Sequence, residues 1–123
     1  DSYILISSMN LGKILIVEGY MENGKESILN DLYGILQLLQ KIVQECKLTI
    51  LSVSHHQFQP QGLTVLYLLS ESHVSIHTWP EHGRFALDVY SCRDDYSEEK
   101  ILDILRKELT LQTLQHQVLS RTI

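Results

Sequence analysis

The chain has 123 residues, of which 10 are Lys or Arg and 15 Asp or Glu, giving a formal net charge of −5. That length sets a single domain with a core of its own. The acidic balance argues against a nucleic-acid or anionic-membrane partner, since both need a basic patch.

No apolar run approaches the ~20 residues that span a bilayer. Tyr3-Ile4-Leu5-Ile6 is too short for a signal segment and no basic stretch precedes it, so a cytoplasmic protein is expected. Met9, ahead of Asn10-Leu11-Gly12, reads as a native start, which would leave residues 1–8 as an N-terminal extension. Residues 13–20, Lys-Ile-Leu-Ile-Val-Glu-Gly-Tyr, form a nearly continuous apolar run and predict a strand. Glu18 is its one carboxylate.

Asn23-Gly24-Lys25-Glu26 has the form of a helix start, with Asn23 as cap and Glu26 three residues on. Ile28, Leu32, Ile35, Leu36, Leu39, Ile42 and Val43 then recur at helical spacing, predicting one long helix to about Cys46 with its stripe in the core. Cys46 reads as a small buried apolar residue. Cys46 and Cys92 are the two cysteines. One disulfide is arithmetically allowed, but two thiols fit an intracellular protein better.

Residues 48–58 predict the next strand, Gln59-Pro60-Gln61-Gly62 a turn, and 63–70 another strand. Arg84–Ser91 predicts a further strand, with Phe85, Leu87 and Val89 on one side and Ala86, Asp88 and Tyr90 on the other. Asp94-Asp95-Tyr96-Ser97-Glu98 starts a second amphipathic helix carrying Ile101, Ile104, Leu105 and Glu108, and residues 110–119 read as a last strand. Strands joined largely by turns, with two helices, give an α+β two-layer sandwich: a mostly antiparallel sheet with two helices on one face. If Val74 and Ile76 face the helices, His77, Trp79, Tyr90 and Cys92 face away. A face so rich in aromatic groups calls for a cover, and a homodimer through or around it is expected.

Between the strands predicted at 63–70 and 84–91 lies Ser70-Glu71-Ser72-His73-Val74-Ser75-Ile76-His77-Thr78-Trp79-Pro80-Glu81-His82-Gly83. An apolar alternation there carries an unusual density of groups that gain, lose or share protons. Ser72 follows Glu71, so its hydroxyl can reach the preceding carbonyl through a five-membered ring. Acyl transfer would turn that amide into an ester. Removal of the α-proton of residue 72 would then eliminate the ester, and hydrolysis of the resulting dehydroalanine would leave a pyruvoyl group.

The blocks ESHVSIHTWPEHG and ALDVYSC closely resemble the small prokaryotic S-adenosylmethionine decarboxylases, self-cleaving pyruvoyl enzymes, over residues 11 to 92 or so. The resemblance implies a proenzyme that cuts itself between Glu71 and Ser72 into 1–71 and 72–123. Ser72 becomes the pyruvoyl cofactor, which forms a Schiff base with the substrate's α-amine. Neither pyridoxal phosphate nor a metal is expected. His77 matches the family histidine five residues after the serine, which assists processing, and Cys92 the cysteine twenty residues after, which donates the proton in decarboxylation. Thr64 stands where the family usually has a second serine that steadies the processing intermediate. Phe58 matches an aromatic that meets the substrate sulfonium, and Glu81 a carboxylate that reaches the ribose hydroxyls. Glu18 reads either as a strand-end surface group or, by the resemblance, as a residue of the site entrance. The chain has Ile14 where the family often has His, and Gly19 where it often has Phe. The implied activity is decarboxylation of S-adenosylmethionine to the aminopropyl donor for spermidine synthesis, by a homodimer with its sites between two sheets.

Strict alternation places Ser72 on the face opposite His77, so a bend, bulge or break is expected near residues 72–74. Two other readings stay beside this one. The same machinery could serve arginine or ornithine, or the chain could be a non-processing regulatory homologue. His73, His77, His82 and Cys92 are residue types that zinc takes, but no motif with metal-site spacing is present. His55 and His116 read as satisfied, partly buried side chains.

Overall fold

A computed structural model describes residues 10–47, 49–92 and 96–122. The proposed extension 1–8, and the Asp94-Asp95 part of the second helix start, lie outside the described residues. Strand β1 spans Asn10–Met21, β2 Ile50–Gln57, β3 Leu63–Leu69, β4 Ser72–Trp79, β5 Arg84–Ser91 and β6 Leu111–Thr122. Helix α1 spans Leu32–Cys46 and α2 Glu98–Glu108, with single 3₁₀ turns at Glu26–Asn30 and Pro80–His82. The strands form one antiparallel sheet in the order β2-β3-β4-β5-β1-β6, so β4 is an interior strand with β3 and β5 as neighbours. No helix among the described residues is long and apolar enough to cross a membrane.

Period-2 patterning sorts the strands into two sets of side chains. Leu15 and Val17 of β1, Leu63, Val65 and Leu69 of β3, Val74 and Ile76 of β4, and Phe85, Leu87 and Val89 of β5 are buried. They share one core with Ile35, Leu39, Ile42 and Val43 of α1 and Ile101, Leu102 and Leu105 of α2. The alternate set includes Leu66, Leu68, His77 and Trp79, all exposed. Gly19 belongs to the core-facing set, and a Cβ there would run into the Phe85 ring. The glycine is therefore a packing requirement: it lets a large aromatic on β5 lie across β1.

The single long helix expected from Asn23 is two pieces. Asn23 lies in a turn, where the Glu26 carboxylate accepts from the Gly24 backbone N–H at 2.6 Å. After the 3₁₀ turn, Asp31 caps α1 by accepting from the Gly34 N–H at 3.1 Å. A second capping residue eight positions downstream won, because Asp31 has extended backbone and a free carboxylate at the helix mouth. Ser97 caps α2 in the same way, accepting from the Lys100 N–H at 3.2 Å.

The irregularity expected at 72–74 is displaced. β4 keeps unbroken register with β3 from Ser72↔Leu69 to His77↔Thr64, and with β5 from Ser72↔Ser91 to Trp79↔Arg84. The break falls one residue earlier, at Glu71, whose φ is 63°. Leu69 pairs with Ser72, so Ser70 and Glu71 are a two-residue hairpin turn with positive φ at its second position only. Such a turn favours Gly or Asn there and twists against its strands. Among the described residues, the only other non-glycine residue with positive φ is Lys47, which ends α1. His55 and His116, expected as partly buried, are exposed, since each lies on one of the two edge strands.

Candidate active site

The chemically loaded groups collect at the two ends of β4. At its N-terminal end, Ser72 is 7 % exposed and its hydroxyl oxygen accepts from the Cys92 backbone N–H at 3.2 Å. Ser72 pairs with Ser91, the last residue of β5, so the chain leaving β5 necessarily carries Cys92 past the turn that holds Glu71. The Cys92 thiol donates to the Glu71 carbonyl oxygen at 2.6 Å and lies 3.4 Å from the Tyr90 hydroxyl oxygen. The Glu71–Ser72 peptide is thus held by one residue, Cys92, through both its backbone and its side chain. Both cysteines are thiols, Cys46 buried and Cys92 exposed.

That end is also clamped from behind. The Tyr96 hydroxyl donates to the carbonyl oxygens of Val89 and Lys13 at 3.3 and 3.4 Å, and Lys13 is bonded to Glu98 at 2.9 Å. Burial raises the Tyr96 phenol well above its usual range, with the nearby Glu98 charge adding to the effect. The hydrogen bond from Lys13 lowers the Glu98 carboxyl below the ordinary carboxylate range.

At the C-terminal end, Thr64 Oγ1 and His77 Nδ1 are 2.9 Å apart, as cross-strand partners on the exposed side of the sheet. The His77 ring is tilted against Trp79 at 6.4 Å. A cleft of ≈ 260 Å³ opens beside them, lined by Phe58, Thr64, His77, Trp79 and Glu81 among others. Its floor is fixed by Thr78, whose buried hydroxyl accepts from the Leu63 N–H at 2.9 Å and donates to the Leu29 carbonyl at 2.7 Å. A second cleft of ≈ 350 Å³, lined by Glu18, His82 and Arg84 among others, shares Trp79 with the first. Glu18 there is 3.8 Å from Arg84, whose guanidinium lies 4.6 Å over the Tyr20 ring.

The structure therefore groups the sequence-selected residues into two sets. Glu71, Ser72 and Cys92 meet at one end, and Phe58, Thr64, His77 and Glu81 surround one cleft at the other. It does not bring Ser72 and His77 together within one chain. Five residues of regular strand separate them by roughly 16 Å, and Ser72 lies on the core side while His77 is exposed. Two contributors were passed over in the sequence. Trp79 walls both clefts, and Tyr90 touches the Cys92 thiol. Both stood on the predicted open face. The signal for Tyr90 was its place two residues before Cys92 on that face.

A family model described as S-adenosylmethionine decarboxylase matches residues 13–122. Among curated proteins, the S-adenosylmethionine decarboxylase proenzyme of Aquifex aeolicus is 41% identical over 107 residues, covering 78% of this chain and 79% of its own length. The proenzyme of Methanococcus maripaludis is 43% identical over 100 residues, with 80% of each chain covered. That of Archaeoglobus fulgidus is 34% identical over 113 residues, covering 92% of this chain and 99% of its own. The crystal structure of the Aquifex aeolicus adenosylmethionine decarboxylase superposes with a TM-score of 0.81 at 34% identity, covering 94% of both chains.

Proposed function

Because the chain belongs to the S-adenosylmethionine decarboxylase family, we propose that it is a self-cleaving, pyruvoyl-dependent decarboxylase of S-adenosylmethionine. The reading includes cleavage between Glu71 and Ser72 into residues 1–71 and 72–123, and a cytoplasmic enzyme that supplies the aminopropyl donor for spermidine synthesis. The observation that carries it is the seating of the Glu71–Ser72 peptide. Positive φ at Glu71, the Cys92 N–H on the Ser72 oxygen and the Cys92 thiol on the Glu71 carbonyl converge on one bond.

Each contact has a use in cleavage. The thiol's hydrogen bond to the Glu71 carbonyl draws electron density onto its oxygen, which favours attack by Ser72 Oγ at the carbon. The Cys92 N–H holds that hydroxyl at the turn. Strain of about 1 kcal/mol from positive φ at a non-glycine residue disappears when the turn is cut. A pyruvoyl group fits this place: it is made from Ser72 itself, at the buried start of a strand, beside a backbone N–H and a thiol. Once formed, it supplies the ketone that condenses with the substrate's amine and takes up the electrons released with CO2. Cys92 is then positioned to protonate the carbon that lost CO2, and its S–H proton is replaced from solvent.

The separation of the two ends of β4 supports an active site assembled from two chains. The buried residues of both helices share one core with Leu15, Val65, Ile76 and Leu87 of the sheet, whereas Leu66, Leu68, Trp79 and Leu119 are exposed. Two such faces related by a two-fold axis would set the Thr64–His77 pair of one protomer against the Ser72–Cys92 end of its partner. His77, oriented by Thr64, would take the α-proton during processing. Phe58 would meet the substrate sulfonium by a cation–π contact, Glu81 would accept from the ribose hydroxyls, and Glu18 would border the entrance.

Intact mass after expression, followed by CO2 release from S-adenosylmethionine, arginine and ornithine in parallel, tests the reading. The expected result is two fragments split before residue 72 and release from S-adenosylmethionine alone. A chain that stays whole on prolonged incubation and releases no CO2 would overturn it.

A further inference from the structure

Tyr90 has no part in the reading above, yet four features of the chain converge on it. Its hydroxyl donates to the Leu11 carbonyl oxygen at 2.6 Å, so the phenol proton is committed and the oxygen lone pairs are left toward Cys92 Sγ, 3.4 Å away. The Leu11 carbonyl is available because β1 carries a bulge there. Asn10 pairs with Thr122 and Lys13 with Ser120, so two residues of β1, Leu11 and Gly12, oppose the single residue Arg121 of β6. Gly12 has φ 98°, and a Cβ on it would collide with the Ser91 carbonyl and the Cys92 backbone. The bulge therefore needs glycine for its own backbone and for the approach of Cys92. Finally, the Arg121 guanidinium lies 4.6 Å over the Tyr90 ring, and the His73 ring is 5.7 Å away on the next strand.

The thiol has one proton and two acceptors within reach. In the uncut chain the Glu71 carbonyl is the nearer, at 2.6 Å against 3.4 Å. Cleavage converts that carbonyl into part of a chain terminus that is free to leave, and the phenol oxygen is then the remaining acceptor. We propose that Tyr90 is a positioning residue for decarboxylation: after self-cleavage its hydroxyl, anchored on Leu11 by the β1 bulge, holds the Cys92 S–H in the orientation from which it protonates the substrate carbon. In that transfer the S–H bond breaks and a C–H bond forms, and the sulfur recovers its proton from water. The phenol keeps its own proton throughout. Its contact with Cys92 and its partial burial both raise it above the ordinary range, against the opposing pull of Arg121.

The inference rests on the decarboxylase reading and separates the two reactions of Cys92, so the test measures both in Tyr90→Phe. Phe keeps the ring under Arg121 and beside His73 and removes only the oxygen. Self-cleavage is expected at the wild-type rate, because the thiol still has the Glu71 carbonyl, and this also reports a correctly folded chain. With S-adenosylmethionine, kcat is expected to fall about tenfold with KM held within about twofold, the pattern of an interaction used after binding. The solvent deuterium isotope effect on kcat is expected to rise as proton delivery becomes the slow step. Wild-type kcat and isotope effect in the variant would overturn the proposal, as would failure of the variant to cut itself. Wild-type protein that neither cuts itself nor releases CO2 would instead remove the decarboxylase reading beneath it.

Discussion

The two ends of β4 are built in opposite ways. At the Ser72 end the reactive groups are tied to backbone: a buried hydroxyl, an exposed thiol on a carbonyl, and a clamp of Tyr96, Lys13 and Glu98 behind them. At the His77 end the pair Thr64–His77 is exposed, bonded to itself and open to a cleft. On the proposed function the difference has a reason: a bond to be cut once calls for rigid seating, and a group that is to reach another chain and admit a substrate calls for an open face.

The sharpest way to break this contrast is Ser72→Ala, which removes the attacking oxygen. Complete loss of cleavage and of activity is expected, read as a single full-length mass; any fragment ending at residue 71 would show that another group opens the bond.

His77→Ala is expected to slow self-cleavage by about a hundredfold, the usual scale for a positioned acid–base group. Co-expression of Ser72→Ala chains with His77→Ala chains then distinguishes one chain from two. A mixed dimer contains one site with both groups intact, so cleavage of the His77→Ala chain should recover. If it stays uncut in verified mixed dimers, the two ends of β4 do not meet across a two-fold.

Thr64→Val keeps the shape and removes the partner of His77 Nδ1. Loss of one hydrogen bond of about 1 kcal/mol predicts processing slowed about fivefold to tenfold, with stability little changed. An unaltered rate would mean that the 2.9 Å contact does not orient the ring.

Phe58→Leu acts on the open end alone. A cation–π contact of about 0.5–1 kcal/mol predicts KM for S-adenosylmethionine raised a few-fold while self-cleavage is untouched. A parallel loss of cleavage would place Phe58 in the wrong half of the comparison.

The smallest effect belongs to the clamp. Glu98 has its carboxyl pKa lowered chiefly by the Lys13 hydrogen bond. A carboxyl lowered in the folded state stabilises it above the unfolded value of about 4.3, and that contribution is lost as pH falls through the lower folded value. The pair is part-exposed, so solvent screening limits it to about 0.5 kcal/mol. Glu98→Gln should lower the Tm at pH 7 by about 1–2 °C, with the difference vanishing in strong acid. A difference that persists at pH 2 would mean the glutamate acts by packing.

Much of this was legible from residues alone. Period-2 alternation placed β5 at its observed bounds and told the buried Val74 and Ile76 from the exposed His77 and Trp79. The spacing of α1 named core residues correctly, because an amphipathic stripe survives a wrong start. Its start was not legible, because Asn23 and Asp31 both offer capping oxygens and only the neighbouring turn decides between them. Edge strands were not legible either. β2 looks apolar and His55 looks burial-ready in a list of residues, but strand order decides how much cover each receives.

The sequence by itself determined the chemical inventory: a serine after a glutamate, a histidine and a cysteine at fixed offsets, and strands to carry them. It also fixed the distance from Ser72 to His77, since a strand rises about 3.3 Å per residue whatever surrounds it. Only the tertiary structure decided which groups meet. Pairing of Ser72 with Ser91 brings Cys92 onto the Glu71 carbonyl, and pairing of Thr64 with His77 makes the second couple. It also moved the backbone irregularity from residues 72–74 to Glu71 and put a bulge opposite Arg121, leaving the Leu11 carbonyl beside Tyr90. These are consequences of register. Register is set by how whole strands bury their faces against each other and against the helices, which no local stretch of sequence contains.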